Sequence, residues 1–256
     1  MGTETTASLI SYLCSLAPEF FGARMRGASE AQIQKLEHIA GLRMSDGHRE
    51  FLRAMGMTPA RVLNPFLNDR DFCIDTLIEQ FEINRREKIS LPPGVAYFSS
   101  SDITGSNIFL RLGADPKDDP EIGDLHPETN ELVLFDAGHF ESFLGWHAFH
   151  FRENQFDHEL HARPRWNPER ERWEGDPSRC RDWLTAQGFE LVVSVGHNAE
   201  CYEHGGVAIS LFHDGSMSFT GDDFDELVKR ARSMPPDIKL EIETVPSAGR
   251  LRAPRE

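Results

Sequence analysis

A proline pair at positions 92–93 separates two kinds of hydrophobic pattern in this chain. Before it, apolar residues recur at intervals of three and four, as they do over 71–88, which is typical of amphipathic helices. After it, short apolar runs at 95–98, 108–112 and 132–135 are separated by polar turns and predict strands. Helices followed by an antiparallel meander, and not by alternating strands and helices, predict an α+β fold in which helices flank an antiparallel sheet.

A second set of elements follows a polar stretch that is short of aliphatic residues. It contains a helix, three strands with an Asp214-Gly215 hairpin turn, another helix and a final alternating strand. This order predicts a second, smaller α+β unit, which either forms a separate domain or extends the first sheet. The predicted organisation is a first unit at 1–153, a polar connection at 154–177, the second unit at 178–246 and a disordered tail at 247–256.

Charge is the most informative bulk property of the chain. It carries 42 acidic and 27 basic residues, for a formal net charge of −15. Between 115 and 159 twelve acidic residues stand against Lys117 and Arg152 alone, a local balance of −10. Phosphate backbones and anionic membranes repel such a chain, so neither nucleic acid nor a membrane is an expected partner. The same field speeds encounter with a basic protein.

This acidic zone supplies most of the candidate partner-binding residues. Charged residues accelerate encounter with a partner, and exposed aromatic side chains stabilise the complex when the partner buries them. The same acids would also serve to solvate loops between strands, and the tryptophans would also pack on the body of the protein. The candidates are Asp115, Asp118, Asp119, Glu121, Asp124, Glu128, Glu131, Trp146, Trp166 and Trp173.

The start of the chain and its cysteines predict a cytoplasmic location. The first residues lack the basic region of a signal peptide, and no apolar run approaches the roughly 18 residues of a membrane span. The four cysteines, Cys14, Cys73, Cys180 and Cys201, are widely spaced and are expected to remain reduced thiols.

The best metal candidate is the spacing of His197, Cys201 and His204, to which Cys180 would add a fourth ligand. No CxxC pair accompanies these residues, and an ordinary loop is the competing interpretation. If they lie on a strand, Cys201 and His204 point to opposite faces. The chain has no Walker loop, dinucleotide glycine fingerprint, nucleophile elbow or HExxH motif, so neither a cofactor nor a catalytic residue is predicted.

The stretch 27–56 contains a capped helix with an Ile-x-x-Leu-Glu core, a glycine-led turn and a second helix that ends in Phe-Leu. The matching residues are Ser29, Ile33, Leu36, Glu37, Gly41, Leu42, Arg49, Phe51, Leu52 and Gly56. A strand, a polar turn, a second strand and an ESFLGW ending follow. In this order the pieces resemble the SUKH superfamily, of the Smi/Knr type, over about residues 27–150. The chain departs from the family pattern at Met44-Ser45, His48 and Met55, where the family has Leu-Pro, an aromatic residue and asparagine.

The resemblance implies an α+β binding domain without catalytic residues. Bacterial members often serve as immunity proteins that neutralise toxins, many of which are nucleases, and fungal relatives are regulatory scaffolds. The expected function is therefore that of a non-catalytic immunity protein whose acidic surface binds a cognate bacterial toxin with a basic surface. A regulatory scaffold of the Smi/Knr type is the alternative, and a metal-dependent enzyme that uses the second unit is the third interpretation.

Overall fold

The computed structural model describes residues 6–16, 24–58, 71–100, 107–164, 166–167, 172–173, 175–195, 199–235, 238 and 240–244. The chain divides into two compact units, Met1–Ala148 and Phe149–Glu256. The division falls inside a helix, Phe140–Glu153, close to the predicted boundary at 153. Each unit combines helices with an antiparallel sheet, so the predicted α+β class is confirmed.

In its described residues, the first unit places four helices before a four-stranded meander and begins a fifth helix after it. The helices are α1 (Thr6–Leu16), α2 (Glu30–Ala40), α3 (Asp46–Met55), α4 (Ile74–Glu87) and α5 (Phe140–Glu153). The strands are β1 (Val95–Ser99), β2 (Ile108–Arg111), β3 (Glu121–Leu125) and β4 (Leu132–His139). They pair antiparallel in the order β1-β2-β3-β4.

Helix α2 begins and ends where its sequence predicts. The Ser29 hydroxyl accepts a hydrogen bond from the backbone of Gln32, whose side chain accepts one from the backbone of Ser29 in return, which completes a capping box. Gly41 ends the helix in the left-handed conformation, at φ 67°. Arg49 of α3 then forms an ion pair with Glu37 at 2.6 Å, and both side chains are largely shielded from solvent. Helices α2 and α3 are therefore joined by a specific polar contact.

Strand β1 is covered on both faces by side chains that the helices supply. Tyr97 belongs to an aliphatic cluster to which α2 and α4 contribute. Its neighbour Phe98 points to the other face, where its ring centroid lies 4.9–5.2 Å from those of Phe51, Phe72 and Phe140. Two separate cores, one mainly aliphatic and one aromatic, therefore meet at the first strand of the sheet.

The second unit is built on a six-stranded antiparallel sheet. Its strands are β5 (His158–Pro164), β8 (Glu190–Val195), β9 (Ala199–His204), β10 (Val207–Phe212), β11 (Met217–Gly221) and β12 (Leu240–Thr244). They pair in the order β12-β5-β11-β10-β9-β8, and β6 (Trp166–Asn167) pairs separately with β7 (Arg172–Trp173). Helices α6 (Pro177–Ala186) and α7 (Phe224–Arg232) contribute to a buried cluster with Leu160, Ile209 and Phe219.

The segment predicted as a polar connection, 154–177, differs from its prediction. Strand β5 lies in it and pairs with both β11 and β12. Leu160, Ala162 and Pro164 alternate as its buried residues, and the polar side chains between them hide the strand pattern. Because β5 lies inside the sheet, this segment belongs to the second unit.

Two further predictions from the sequence concern membrane-spanning segments and the state of the cysteines. Among the described helices, none is long and apolar enough to cross a membrane. None of the four cysteines forms a disulfide, and Cys180 and Cys201 are buried. Burial raises the pKa of the Cys180 thiol to about 11. Its thiolate is therefore disfavoured at neutral pH, which makes it a packing residue and not a nucleophile.

Candidate partner-binding surface

Burial decreases across the first sheet in the order of its strands. All five residues of β1 are buried, as are three of the four in β2 and two of the five in β3. In β4 only Leu132 is buried. Strand β4 is therefore an uncovered edge of the described sheet, where Val133 is 52% exposed and Leu134 is 44% exposed. Two adjacent exposed apolar side chains on a sheet edge mark a surface that is suited to contact another molecule.

Strand β4 is held by a close approach to β3. Three consecutive residues that begin at Leu132 pair with β3 in regular register. A Cβ on Gly123 of β3 would lie 2.1 Å from the carbonyl oxygen of Val133 and 3.0 Å from the Cα of Leu134, so only glycine allows this spacing. Beyond these pairs the register is irregular, and Gly138, at φ 70°, lies within the bulged part of β4.

Exposed acids surround the two apolar side chains. Asp124 is the Cα partner of Val133, so the two side chains share a face. Glu128 and Glu131 lie in the hairpin between β3 and β4, and their carboxylates form no ion pair within the described part of the chain. An apolar centre with a charged rim has the composition of a protein interface. We define the acidic edge surface as Asp124, Glu128, Glu131, Val133, Leu134 and Asp136.

The hairpin that carries two of these acids has a defined shape. The Nδ1 atom of His126 accepts hydrogen bonds from the backbone N–H groups of Glu128 and Thr129, each at 3.3 Å. Asn130 adopts the left-handed conformation, at φ 57°, which asparagine tolerates better than most residues. The backbone of His126 also donates to the carbonyl of Glu131. The turn therefore presents its acids from a fixed position beside β4.

Asp119 was predicted to bind a partner, but it points inward. Its carboxylate accepts hydrogen bonds from the backbone N–H of Glu141, at 3.1 and 3.4 Å, and so caps the start of α5. Burial raises the pKa of Asp119 to about 6, and the neighbouring Glu141 carboxylate adds to the shift. The half-buried carboxylate is therefore occupied in capping α5, and we leave Asp119 out of the surface proposed below.

The other acids of the β2–β3 loop lie at the opposite end of β3 from the acidic edge surface. Asp115 and Asp118 are exposed there, and Glu121 forms an ion pair with Arg111 at 2.9 Å across β2 and β3. Strand β3 has five residues and so separates this loop from the acidic hairpin by about 14 Å. The predicted acidic zone is therefore divided in space, and Glu121 is occupied by a partner within the chain.

The last acids of the zone belong to the second unit. Glu153 is buried, accepts a hydrogen bond from the Ser210 hydroxyl at 2.9 Å and contacts His150 Nδ1 at 3.1 Å. It therefore contributes to the interior of the second unit and not to an exposed anionic face.

A similar group surrounds Glu159. The Ser218 hydroxyl donates to Glu159 Oε1 at 2.9 Å, and the same oxygen lies 2.8 Å from His161 Nε2. In this arrangement, as at Glu153, the carboxylate lies between the hydroxyl and the imidazole. A nucleophilic serine needs the imidazole beside its hydroxyl as the general base. Neither group places its imidazole there, so we interpret both as hydrogen-bonded groups that stabilise the second unit.

The structure describes the side chain of only one of the three candidate tryptophans. Trp146 is half-buried on α5. The backbones of Trp166 and Trp173 pair with each other in the short β6–β7 ladder, and their side chains lie outside the described residues. The apolar contact residues that sequence reasoning missed are Val133 and Leu134. Nothing local could identify them, because the run at 132–135 has the composition of a buried strand.

The candidate metal ligands are only partly described. His197 lies outside the described residues. Cys201 and His204 lie on β9 three residues apart, so their side chains leave the strand on opposite faces, as expected for a strand. The Cys201 side chain is fully buried, whereas His204 is exposed. No group of three potential ligands occurs among the described His, Cys, Asp and Glu residues.

Comparisons of the chain with models of protein families, with curated proteins and with solved structures find no match. Among its described surfaces, the acidic edge surface combines exposed apolar side chains, exposed charge and an open strand edge.

Proposed function

We propose that this chain is a non-catalytic protein that binds a basic partner protein through its acidic edge surface. The observation that carries the proposal is the exposure of Val133 and Leu134 within a rim of carboxylates, on the one strand of the first sheet that the helices leave largely uncovered. The carboxylates accelerate encounter with a cationic surface, and burial of the apolar pair slows dissociation. The two effects are separable by experiment.

The finer proposal is that the partner is a cognate bacterial toxin and that the chain is its immunity protein. It is supported by the SUKH-like order of elements, from the capped helix α2 to the start of α5. Toxins that act on nucleic acid need cationic clefts, and an anionic protein that covers such a cleft prevents substrate binding. A regulatory scaffold would use the same surface. The neighbouring gene distinguishes these two functions, since an immunity gene should adjoin a gene for a large toxin.

The third interpretation, a metal-dependent enzyme, is not part of the proposal. Two of its candidate ligands, Cys201 and His204, lie on opposite faces of one strand and cannot share an ion there. Elemental analysis of the purified protein tests this interpretation directly.

The proposal predicts that capture of the partner depends on the charge of the hairpin. A tagged chain is used to capture partners from a lysate of its native host at about 0.05 M and about 0.5 M salt. The double variant Glu128→Gln/Glu131→Gln should recover about tenfold less of the basic partner at low salt, because attraction between the surfaces is reduced. Loss of capture at high salt should be larger for the wild-type chain than for the variant.

The matched control removes the same charge at the other end of β3. Asp115→Asn/Asp118→Asn removes the same two negative charges, and both positions are exposed. This control should capture the partner as the wild-type chain does. Equal loss in both double variants would mean that only net charge matters, and recovery of no basic protein would contradict the proposal itself.

A further inference from the structure

Strand β4 offers hydrogen-bonding groups as well as side chains. In the described sheet it pairs with β3 on one side only. Alternate residues of an edge strand direct their N–H and C=O groups away from the neighbouring strand, where another chain can pair with them. The portion of β4 from Leu132 to Phe135 contains no charge and no proline, and its first three residues pair regularly with β3. This part of the edge therefore has the geometry of a template for one more strand.

The far half of β4 is protected against such pairing. It contains the exposed charge of Asp136 and the bulge at Gly138, and both features prevent continued pairing along an edge. The open portion is thus short and has a charge at each end, Glu131 before it and Asp136 after it. An added strand would meet apolar side chains in its centre and carboxylates at its ends.

The charges decide between two possible occupants. A second copy of this chain carries the same net charge of −15, and antiparallel pairing with Val133 opposite Val133 would bring Glu131 of each copy close to Asp136 of the other. Like charges that are brought close together repel each other, and this repulsion opposes pairing between two copies. A segment with basic residues at the same positions would form opposite-charge pairs there, so the edge favours a cationic strand over its own copy.

We propose that the open portion of β4 binds an extended segment of the partner, apolar in its centre and basic at its ends, as a fifth strand of the first sheet. The main-chain bonds supply affinity, the apolar pair selects small or branched residues at the centre, and the acids select lysine or arginine at the ends. This inference rests on the proposed function and specifies how its surface is used.

The edges of the second sheet are less suited to this role. The edge strand β8 exposes Leu191 at 47% and the edge strand β12 exposes Ile242 at 38%, each as the one large exposed apolar side chain among the described residues of its strand. On β4 the two exposed apolar side chains are adjacent and so lie on both faces of the strand. A strand added at β4 would therefore gain apolar contacts above and below the sheet.

The test uses a synthetic peptide and the full-length chain. The peptide has two lysines at each end and consecutive valines in its centre, so that both of its faces are apolar, and both termini are blocked. It should bind at low salt and slow the hydrogen exchange of amides in β4. The same peptide with its central amides N-methylated keeps every charge but cannot form ladder bonds, and it should bind at least tenfold more weakly. A peptide with glutamates in place of the lysines should not bind.

Leu134→Lys tests the same pairing by a change in β4 itself, because an added charge on an edge strand opposes pairing and repels the lysine ends of the peptide. It should weaken binding of the unmethylated peptide, whereas Leu191→Lys on β8 should not. Equal binding of the methylated and unmethylated peptides would overturn strand addition. Failure of the unmethylated peptide to bind at about 1 mM would overturn it too, since that concentration corresponds to a weak interaction. In both cases the capture experiment with the hairpin variants still decides the proposed function independently.

Discussion

Replacement of His48 by phenylalanine is expected to raise the free energy of unfolding by about 1–3 kcal/mol at neutral pH, because it removes two buried polar atoms that have no partner. The His48 ring on α3 is 0% exposed, and neither ring nitrogen has a hydrogen-bond partner among the described residues. The ring lies against the edges of Phe98 and Phe140, at centroid distances of 5.7 and 5.8 Å. Phenylalanine has a similar shape and carries no polar atom.

Urea unfolding of His48→Phe and of the wild-type chain measures this gain. His213→Phe makes the same substitution at an exposed position and should give no comparable increase. A decrease in stability for His48→Phe would mean that the aromatic cluster cannot accept the larger ring.

His48 also makes stability depend on pH. Burial lowers the pKa of His48 from 6.5 to about 3, so the native chain holds the ring neutral, whereas the unfolded chain takes up the proton near pH 6.5. As pH decreases below 6.5 the unfolded state binds more protons. Stability therefore falls, by at most about 1.4 kcal/mol per pH unit from this residue. His48→Phe should lose less stability than the wild-type chain between about pH 7 and about pH 4.5.

Asp119 has the opposite effect on the pH dependence. Burial raises the pKa of Asp119 to about 6, so the native state takes up this proton at a higher pH than the unfolded state does. Its contribution to stability therefore increases as pH falls from about 6 toward 3.8. Asp119→Asn, which can still cap α5, should lose stability on acidification more steeply than the wild-type chain. Urea unfolding at several pH values compares the two slopes, and identical slopes would contradict the assignment.

Local patterns were sufficient to predict most elements of the first unit, but not β3 (Glu121–Leu125), which lies in a stretch that was predicted to be an acidic loop. The capping box at Ser29 and the left-handed Gly41 depend on neighbours within a few residues, and both occur as predicted. The alternation of short apolar runs likewise predicts β1, β2 and β4. These features depend on backbone geometry and periodicity, which a sequence shows directly.

The surface position of the acidic residues between 115 and 159 could not be predicted from local sequence. A dense run of acids along the chain is not a dense patch on the surface, because a meander sends successive loops to opposite ends of its strands. Asp118 and Glu128 are ten positions apart in the sequence, yet they lie at opposite ends of β3. Asp119, between them in the sequence, is turned inward by the start of α5. Strand order and capping decide which acids share a surface, and neither can be read from charge.

The same limit explains what the sequence did not predict. The apolar run that contains Val133 and Leu134 has the composition of a buried strand, and only its place in the order β1-β2-β3-β4 makes it an edge. Conversely, β5 is a strand inside the second sheet although most of its residues are polar. Its outward-facing side chains are satisfied by contacts such as that of His161 with Glu159. In both cases the position of the strand in its sheet, and not its own composition, determines whether its residues are buried.

Gly123→Val is expected to detach β4 from the first sheet and to lower the free energy of unfolding by at least about 2 kcal/mol, because a side chain there cannot be accommodated without moving backbone. The atoms that a Cβ would meet, the Val133 carbonyl oxygen at 2.1 Å and carbon at 2.8 Å, both belong to the main chain of β4. Main-chain atoms held in a ladder cannot rotate away as a side chain does. The strands must therefore separate, and the hydrogen bonds between β3 and β4 are lost or lengthened.

The measurement combines urea unfolding with hydrogen exchange of individual amides. Amides of β4 that bond to β3 should exchange much faster in Gly123→Val, whereas those of α2 and β1, which lie in the cores, should change less. Asp124→Ala, at the next position of the same strand, removes an exposed carboxylate without entering the gap and should leave exchange in β4 nearly unchanged.

Because the acidic edge surface requires β4 in place, Gly123→Val should also fail to capture the basic partner, whereas His48→Phe should capture it fully. A Gly123→Val chain with wild-type stability and wild-type capture would show that the close pairing of β3 and β4 does not hold this surface together.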